Sequence, residues 1–251
     1  MFVSLGCSFS RGERLFYHRW EELYDNSKSL KGLMSDVKHP YDPHDVWYKA
    51  TTKDLNYMHE HTACGLLAKK LGCEYIFIDG NNHRNIKHIE KIIELHGKNP
   101  DREIEFIVLQ LTDVSRDLGT IQEIKEEYEK EEALNLLNNT IPDETCKKIN
   151  ALNAICKENK IGFYVWSWQN EIPNRLLTAG KFGNAEEYFV KIEYEGKEYI
   201  SFNDILKQND NLPLNLTRTF SKYGSTDGHP SLLFNEILCD SLFKKLGVNN
   251  D

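Results

Sequence analysis

Two short stretches near opposite ends of the chain carry the side chains of a serine-based acyl-transfer site. Gly6-Cys7-Ser8 follows an apolar run, and Asp227-Gly228-His229-Pro230 lies about twenty residues before the last residue. A serine hydroxyl is a poor nucleophile at neutral pH unless a histidine accepts its proton. That histidine needs an acid on its other nitrogen, which fixes the tautomer and stabilises the imidazolium. The residue types therefore predict that Ser8 attacks an ester carbonyl, His229 serves as base and then acid, and Asp227 orients His229.

Two further stretches offer groups that could stabilise the oxyanion of a tetrahedral intermediate. Gly80-Asn81-Asn82 and Gln110-Leu111-Thr112-Asp113 each come at the end of an apolar run. Loss of one preorganised oxyanion donor typically costs about 10²–10³ in turnover, so such positions matter to acyl transfer. Arg116 follows the second stretch, and Trp166 and Trp168 end a fourth apolar run. Together with Gln110, these three residues are candidates for the lining of the substrate pocket.

These stretches must meet in space, and the alternation of strands and helices predicts that they do. Strands are predicted at Phe2–Leu5, Tyr75–Ile78, Ile104–Leu111 and Ile161–Trp166. Helices are predicted at Arg14–Tyr24, His61–Leu71, Ile86–Leu95, Ile121–Leu137, Pro142–Asn159 and Ser231–Leu246. This rhythm is typical of an α/β fold, a three-layer α/β/α sandwich with a mainly parallel, doubly wound (flavodoxin-like) sheet. In such sheets ligands bind at the carboxyl ends of the strands, where three of the four stretches lie, and the Asp227–Pro230 stretch comes before the closing helix.

Two segments interrupt this alternation of strands and helices. Residues 25–57 are polar with interleaved aromatic residues, and we interpret them as an insertion beside the site, because linkers carry fewer aromatic residues. Residues 188–202 alternate around Glu195-Gly196, which predicts a small β-hairpin. We expect residues 1–251 to form one domain that carries both.

Composition narrows the class of protein. A net charge of -8 argues against a nucleic-acid-binding protein, which would show a basic surface. The sequence shows neither a secretory signal nor a membrane-length apolar run, so we expect a cytoplasmic protein with no membrane partner, in the virion or host cytoplasm if the source is a phage. The six cysteines are scattered without a CxxC pair, which predicts free thiols. His59, His61 and Cys64 lack zinc spacings, so we expect neither a metal nor another cofactor.

The four stretches, in this order on these elements, resemble the sequence blocks of the SGNH (GDSL-type) hydrolases, especially divergent phage and bacterial members. Gly6-Cys7-Ser8-Phe9 is similar to the first block, usually Gly-Asp-Ser, with Cys7 in place of the aspartate. The run from Ala63 to Ile86, which includes Gly80 and Asn82, resembles the second block and its lead-in helix. The resemblance implies that the Gly80 amide donates to the oxyanion.

The last two blocks differ from the family pattern. The third block is usually Gly-x-Asn-Asp, and here Thr112 stands in place of the asparagine. The third oxyanion donor is therefore Thr112, Gln110 or Asn82. In the last block the acid usually stands three residues before the histidine, whereas Asp227 stands two before His229.

The resemblance implies a serine esterase that hydrolyses a small-molecule or carbohydrate ester with a short acyl or O-acetyl group. A second interpretation is a module of the same fold that has lost its chemistry and binds a glycan or a protein, or serves a structural role. The departures at Cys7, at Thr112 and in the Asp227–His229 spacing favour this alternative. A nucleotide-binding flavodoxin-like domain is a distant third, because no phosphate-cradling glycine loop is present.

Structural explanations remain open for single residues. Ser8 is also suited to capping the next helix, and Asp227 to capping the closing helix with Pro230 in its first turn. For Arg116 we favour an ion pair with a neighbouring carboxylate, Asp113 or Asp117, over a contact with substrate. Oligomeric state is left open by the sequence.

Overall fold

Four apolar runs form a parallel β-sheet at the centre of the structure. The structure, a computed structural model, describes residues 1–6, 52–79, 104–118, 127–178, 181–208, 217–220 and 225–247. The strands of the sheet are β1 (Phe2–Gly6), β2 (Tyr75–Asp79), β3 (Phe106–Leu111) and β4 (Gly162–Ser167). Their spatial order is β2-β1-β3-β4.

Helices and two small hairpins surround this sheet. The described helices are α1 (Thr52–Glu60), α2 (Ala63–Leu71), α3 (Ser115–Leu118), α4 (Lys130–Asn135), α5 (Ile141–Glu158), α6 (Glu171–Leu176), α7 (Phe202–Gln208) and α8 (Leu232–Lys245). A π-helical segment (Leu136–Thr140) joins α4 to α5, and a 3-10 turn spans Ala185–Glu187. The antiparallel hairpins pair β5 (Ile192–Tyr194) with β6 (Lys197–Tyr199), and β7 (Thr217–Phe220) with β8 (Ser225–Pro230). Within the described ranges, every helix is too short or too polar to cross a lipid bilayer.

The strand register brings the carboxyl ends of the four strands to one edge of the sheet. Leu5 of β1 lies beside Ile78 of β2 and Leu109 of β3, and Leu109 lies beside Val165 of β4. All three pairings are parallel. We call this edge the carboxyl edge. The α/β class, the parallel sheet and its four predicted strands are confirmed, with strand bounds that differ by two residues or fewer.

Apolar side chains pack on both faces of the sheet. Leu5 and Leu109 join one core cluster together with residues of α5 and α6. Val108 and Trp166 join a second cluster together with residues of α2 and α8. Successive side chains of a strand point to opposite faces, so a strand covered on both faces must be apolar at almost every position. This explains the continuous apolar runs of β1 and β3.

A proline accounts for the π-helical segment before α5. Pro142 has no N–H, so it cannot donate to the carbonyl oxygen of Asn138 four residues earlier. Arg175 of α6 donates to that oxygen instead, and Arg175 Nη1 also donates to Asp143 Oδ1 at 2.6 Å. Lys181 Nζ lies 2.9 Å from Asp143 Oδ2. These contacts attach α6 to the first turn of α5.

The two helices predicted on either side of Pro142 are not separate, which corrects the sequence prediction. Within the described residues the helix runs from Lys130 through the π-helical segment to Glu158 without a break, and residues 121–126 of the prediction lie outside the described part of the chain. A proline normally opens a helix, and for that reason the sequence suggested a boundary. The π-helical turn accommodates Pro142 inside a continuous helix instead.

The hairpin predicted at 188–202 is confirmed. Its turn residues, Glu195 and Gly196, both have positive φ, at 50° and 74°. Two positive φ values define the type I′ turn, whose twist matches that of two paired strands. The hairpin docks on α8, where the Glu193 N–H donates to Ser241 Oγ at 3.1 Å.

The segment before this hairpin extends the sheet beyond β4. Phe189 forms an isolated parallel bridge with Val165 of β4. Val190 N–H donates to the Val165 carbonyl oxygen at 2.8 Å, and Val165 N–H donates to the Tyr188 carbonyl oxygen at 3.0 Å. The outer edge of β4 is therefore partly covered by the chain itself.

The predicted insertion at 25–57 is helical in its described part. Residues 52–57 belong to α1, and the remainder of the insertion lies outside the described residues. α1 was not predicted, because the helix is mostly polar and only Met58 of its described side chains is buried. The chain turns back sharply into α2, since a Cβ at Gly65 would lie 2.1 Å from the carbonyl oxygen of His59.

The closing helix is confirmed, but the buried set that its apolar spacing predicts, Leu233, Ile237, Leu242 and Leu246, is partly wrong. Leu233, Ile237 and Leu246 are only partly buried. The helix is apolar around much of its circumference, so spacing alone did not identify the inward face. The fully buried residues are Phe234, Asn235, Leu238, Cys239, Ser241 and Leu242. The helices predicted at 14–24 and 86–95 lie outside the described residues.

Candidate functional site

The candidate site lies at the carboxyl edge where β1 and β3 are neighbours. β1 ends at Gly6, two residues before Ser8. In β3, Gln110 is beside Trp166 of β4, and Thr112 follows the end of the strand. Gln110 and Thr112 are both buried. Two polar side chains thus lie buried at the end of the strand that adjoins β1.

The first turns of α2 and α8 lie side by side. Thr62 caps α2 by accepting from Gly65 N–H at 2.9 Å, and Ser231 caps α8 by accepting from Phe234 N–H at 3.2 Å. Asn235 joins the two caps. Its Oδ1 accepts from Ala63 N–H at 2.9 Å, and its Nδ2 donates to the Ser231 carbonyl oxygen at 2.8 Å.

An aromatic contact fixes the start of α8 against the end of β4. The Phe234 ring centroid lies 6.3 Å from that of Trp166 and 4.1 Å from that of Phe202. Phe234 belongs to the first turn of α8, and Trp166 is the second-last residue of β4. The chain that enters α8 therefore arrives at the carboxyl edge, and that chain is β8, which contains Asp227 and His229.

The cap of α8 corrects one structural alternative for the last block. Asp227 does not cap the closing helix, because Ser231 does so. Pro230 precedes this cap and ends β8, so it is not in the first turn of the helix. The Asp227–Pro230 stretch is the last part of β8, which pairs with β7 so that Thr217 lies opposite Pro230.

The other predicted site residues are distributed as follows. Ser8, Gly80 and Asn82 lie outside the described residues, so contact among Ser8, His229 and Asp227 stays a prediction. Arg116 lies in α3, whose start is held by Asp113 Oδ1 accepting from Ser115 N–H at 2.7 Å. Trp166 is 2% exposed and part of the second core cluster. Trp168 is half-buried beside the same cluster.

A cluster of polar side chains directly after β4 was not among the residues predicted from the sequence. Ser167 Oγ donates to the Gln169 carbonyl oxygen at 2.7 Å, and Asn203 Nδ2 donates to Gln169 Oε1 at 3.0 Å. Ser201 Oγ donates to Asn170 Oδ1 and accepts from the Asp204 N–H at 3.0 Å. A signal was present, because Gln169 and Asn170 follow a predicted strand in the same way as the other three polar stretches.

The cysteine and histidine side chains around α2 are buried or hydrogen-bonded, which is typical of a structural role rather than of a reactive group. Burial raises the pKa of the Cys64 thiol to about 12 and outweighs the neighbouring Ser4 hydroxyl, which acts in the opposite direction. His61 Nδ1 lies 2.7 Å from the Tyr57 carbonyl oxygen, and its ring stacks on Tyr57 at 3.8 Å. Among the described residues, no group of three or more His, Cys, Asp or Glu side chains is arranged to hold a metal ion.

A cavity of about 310 Å³ lies at the other end of α8. Lys244 and Lys245 line it, and α8 rises about 20 Å between its cap at Ser231 and these lysines. Its charges are internally compensated, since Lys244 pairs with Glu193 and further lysine and glutamate side chains alternate around it. The cavity is therefore separated from the carboxyl edge by about 20 Å along α8, and it is not part of the candidate site.

Comparison with known proteins yields no relative: no family model, no curated protein and no solved structure matches the chain.

Proposed function

We propose that the chain is a serine ester hydrolase of the SGNH type. The observation that carries this proposal is the contact of Phe234 with Trp166, which holds the start of α8 over the end of β4. β8 leads into α8, so His229 belongs to a strand that ends at the carboxyl edge. The chain after β1, which contains Ser8, leaves the sheet at that edge. This arrangement supports a meeting of two residues that are far apart in sequence.

The fold that accompanies this proposal is one three-layer α/β/α domain with a doubly wound sheet. The order β2-β1-β3-β4, with the bridge of Phe189 beyond β4, supports the flavodoxin-like order 2-1-3-4-5. The two core clusters support helical layers on both faces. In a sheet of this order the ligand crevice lies between β1 and β3, where the chain connections reverse direction. Gly6 and Gln110 lie at that point.

The reaction proceeds in two acyl-transfer steps. His229 takes the proton of Ser8 as the Ser8 oxygen bonds to the ester carbonyl carbon. The tetrahedral intermediate collapses, the bond to the alcohol oxygen breaks, and His229 returns the proton to that oxygen. Water then attacks the acyl-enzyme while His229 takes its proton, the bond between Ser8 Oγ and the acyl carbon breaks, and His229 returns the proton to Ser8 Oγ as the carboxylic acid leaves. Asp227 holds the His229 tautomer and stabilises the imidazolium throughout. No metal or organic cofactor is required.

The oxyanion is stabilised by the amides of Ser8 and Gly80, with a third donor from Thr112, Gln110 or Asn82. Donors held rigidly before the reaction cost no reorganisation when charge develops, and this makes them effective. Burial at the end of β3 gives Thr112 and Gln110 such rigidity. We assign the third donor to Thr112.

Labelling with a fluorophosphonate probe and hydrolysis of p-nitrophenyl acetate test the proposal. We expect stoichiometric labelling on Ser8, identified by peptide mass spectrometry, and a loss of at least about a thousandfold in kcat/KM for Ser8→Ala. Ser10→Ala is the matched control, because it removes a hydroxyl from the same segment. Cys7→Ala tests whether the adjacent thiol is responsible for the hydrolysis.

Three outcomes contradict the proposal. Equal rates for the parent protein and Ser8→Ala remove Ser8 as nucleophile. Loss of hydrolysis in Cys7→Ala alone transfers that role to the thiol. Absence of both labelling and hydrolysis, together with measurable affinity for a glycan or a protein, favours the binding module instead.

A further inference from the structure

The cavity at the end of α8 contains a lysine whose hydrogen-bond partner carries no charge. Lys245 Nζ donates to the backbone carbonyl oxygen of Glu186. By contrast, Lys244 pairs with the carboxylate of Glu193, and Lys191 Nζ lies 3.1 Å from Glu186 Oε2. A carboxylate partner favours the charged ammonium form of a lysine, whereas a carbonyl oxygen also accepts from a neutral amine. The contact of Lys245 is therefore compatible with the amine, which is the nucleophilic form.

The surroundings of Lys245 also favour the neutral amine. The side chain is half-buried, and burial disfavours a charged group. The ammonium group of Lys191 lines the same cavity and repels a second positive charge. Burial, with a further contribution from Lys191, lowers the pKa of Lys245 and outweighs the Glu186 carboxylate, which acts in the opposite direction. Lysines that are withdrawn from water or lie next to another cation are the ones that serve as amine nucleophiles in proteins.

The cavity has the space and the charge balance for a small uncharged electrophile. Its volume of about 310 Å³ is at the lower end of the range of small-molecule sites. With Lys245 as ammonium, the charges of its lining cancel, so the cavity attracts neither anions nor cations strongly. The charged residues that line it are Glu186, Lys191, Glu193, Glu198, Lys244 and Lys245.

We propose that Lys245 forms a Schiff base with a small aldehyde bound in this cavity. The Nζ lone pair bonds to the carbonyl carbon, one proton passes from Nζ to the carbonyl oxygen, and a carbinolamine results. Nζ then loses its remaining proton, the hydroxyl group leaves as water, and a C=N double bond forms. The step needs neither an oxidant nor a reductant, and water reverses it. The glutamate carboxylates of the lining give and take the protons.

Reductive trapping with propanal and sodium cyanoborohydride tests this proposal. The reductant converts a Schiff base into a stable propyl-lysine, and peptide mass spectrometry measures the rate at each lysine and separates these from the α-amino group of Met1. At pH 7 we expect Lys245 to be modified at least about fivefold faster than Lys207, an exposed lysine on α7, because a lowered pKa gives a larger fraction of amine.

A pair of variants tests whether the cavity causes this reactivity. Lys191→Gln removes the repelling ammonium and leaves Lys245 beside the Glu186 carboxylate, so we expect labelling of Lys245 to slow at least about threefold. Lys197→Gln is the matched control, because it removes an exposed lysine of the same hairpin that is not part of the cavity lining. It should leave the rate at Lys245 unchanged.

Three outcomes contradict the proposal. Equal rates at Lys245 and Lys207 show that the cavity does not activate the amine. Equal effects of Lys191→Gln and Lys197→Gln show that the neighbouring ammonium is not responsible. If acetic anhydride labels Lys245 faster than Lys207 but propanal does not, the amine is reactive and the cavity does not accept an aldehyde. These measurements do not involve Ser8 or His229, so the hydrolase proposal and this one succeed or fail separately.

Discussion

Thr112 stands where the resemblance leads one to expect an asparagine, and its side chain is buried at the end of β3. Its hydroxyl is the group to which we assign the third oxyanion contact. Thr112→Val keeps the shape of the side chain and removes the hydroxyl, so we expect kcat for p-nitrophenyl acetate to fall by about 10²–10³. Thr112→Ser keeps the donor and should stay close to the parent rate. If Thr112→Val keeps full activity, the third oxyanion donor is Asn82 or Gln110 instead of Thr112.

Arg175 satisfies a carbonyl oxygen that Pro142 leaves without its helical partner. We expect Arg175→Ala to lower the free energy of unfolding by about 1–3 kcal/mol, because it removes hydrogen bonds to the Asn138 carbonyl oxygen and to the Asp143 carboxylate. Urea denaturation monitored by circular dichroism measures the change. Arg175→Lys keeps the charge without the two-pronged geometry and should recover only part of the loss. Full recovery would show that charge alone matters.

Asp143 makes this contact dependent on pH. Its hydrogen bonds to Lys181 and then Arg175 lower the pKa of the carboxyl below its ordinary value of 3.8. A lowered pKa in the folded state contributes stability that is complete above the ordinary pKa and is lost as the pH falls through the lowered one. The difference in unfolding free energy between the parent and Asp143→Asn should therefore be constant near neutral pH and shrink below about pH 4. A difference that persists undiminished at pH 2 would contradict this.

Asn235 links two elements, since it connects the first turns of α2 and α8 from a buried position. Asn235→Ala leaves the buried Ala63 N–H without its partner, whereas the Ser231 carbonyl oxygen keeps its hydrogen bond from the backbone N–H of residue 235. We expect a loss of about 1–3 kcal/mol in unfolding free energy, from the one group left unsatisfied. Glu236→Ala, at an exposed neighbouring position, should stay within about 0.5 kcal/mol. If both variants unfold alike, the link is not important to the packing of the helices.

The β5–β6 turn offers a stabilising change at the level of one element. Glu195 adopts a left-handed conformation that Asn tolerates better, and Asn-Gly is the favoured pair for a type I′ turn. Glu195→Asn should raise the free energy of unfolding by about 0.5–1 kcal/mol. Gly196→Ala, which adds a Cβ at φ 74°, should lower it by about 1–2 kcal/mol. Equal stability of the two variants would contradict the turn assignment.

Across the whole molecule, sequence predicted the elements whose signal is local and apolar. Continuous apolar runs identified β1 to β4, and Glu195-Gly196 identified the hairpin. The missed features depend on contacts between distant residues. α1 has only Leu55, Tyr57 and Met58 as apolar or aromatic residues among its nine. The Asn138 carbonyl oxygen in the π-helical segment accepts from Arg175, which belongs to another helix. For the site, strand ends pointed to Gln110 and Thr112. Gln169 also follows a predicted strand, but its partner Asn203 comes from a distant segment that the sequence does not connect with it.

The reactivity of the cysteine thiols measures how well the core of the protein is packed. Cys64, Cys146, Cys156 and Cys239 are buried, and burial raises the pKa of the first three thiols to about 12 and of Cys239 to about 11. The thiolate is the reactive form, so we expect these four thiols to react with Ellman's reagent at pH 8 only after unfolding. Guanidinium should then expose all six. Rapid reaction of more than two thiols in the native protein would contradict the core described above.

The position of β1 in the middle of the sheet has a consequence for biosynthesis. β1 leaves the ribosome before both of its neighbours, yet its partner β3 begins only at Phe106, which pairs with Phe2. At about 5–20 residues per second, roughly one hundred residues of synthesis leave an apolar strand without that partner for about 5–20 s. A nascent chain arrested before residue 111 lacks the strand that joins β1 to β4. Such arrested chains should be bound by chaperones or aggregate, whereas chains arrested after β4 should begin to resist protease.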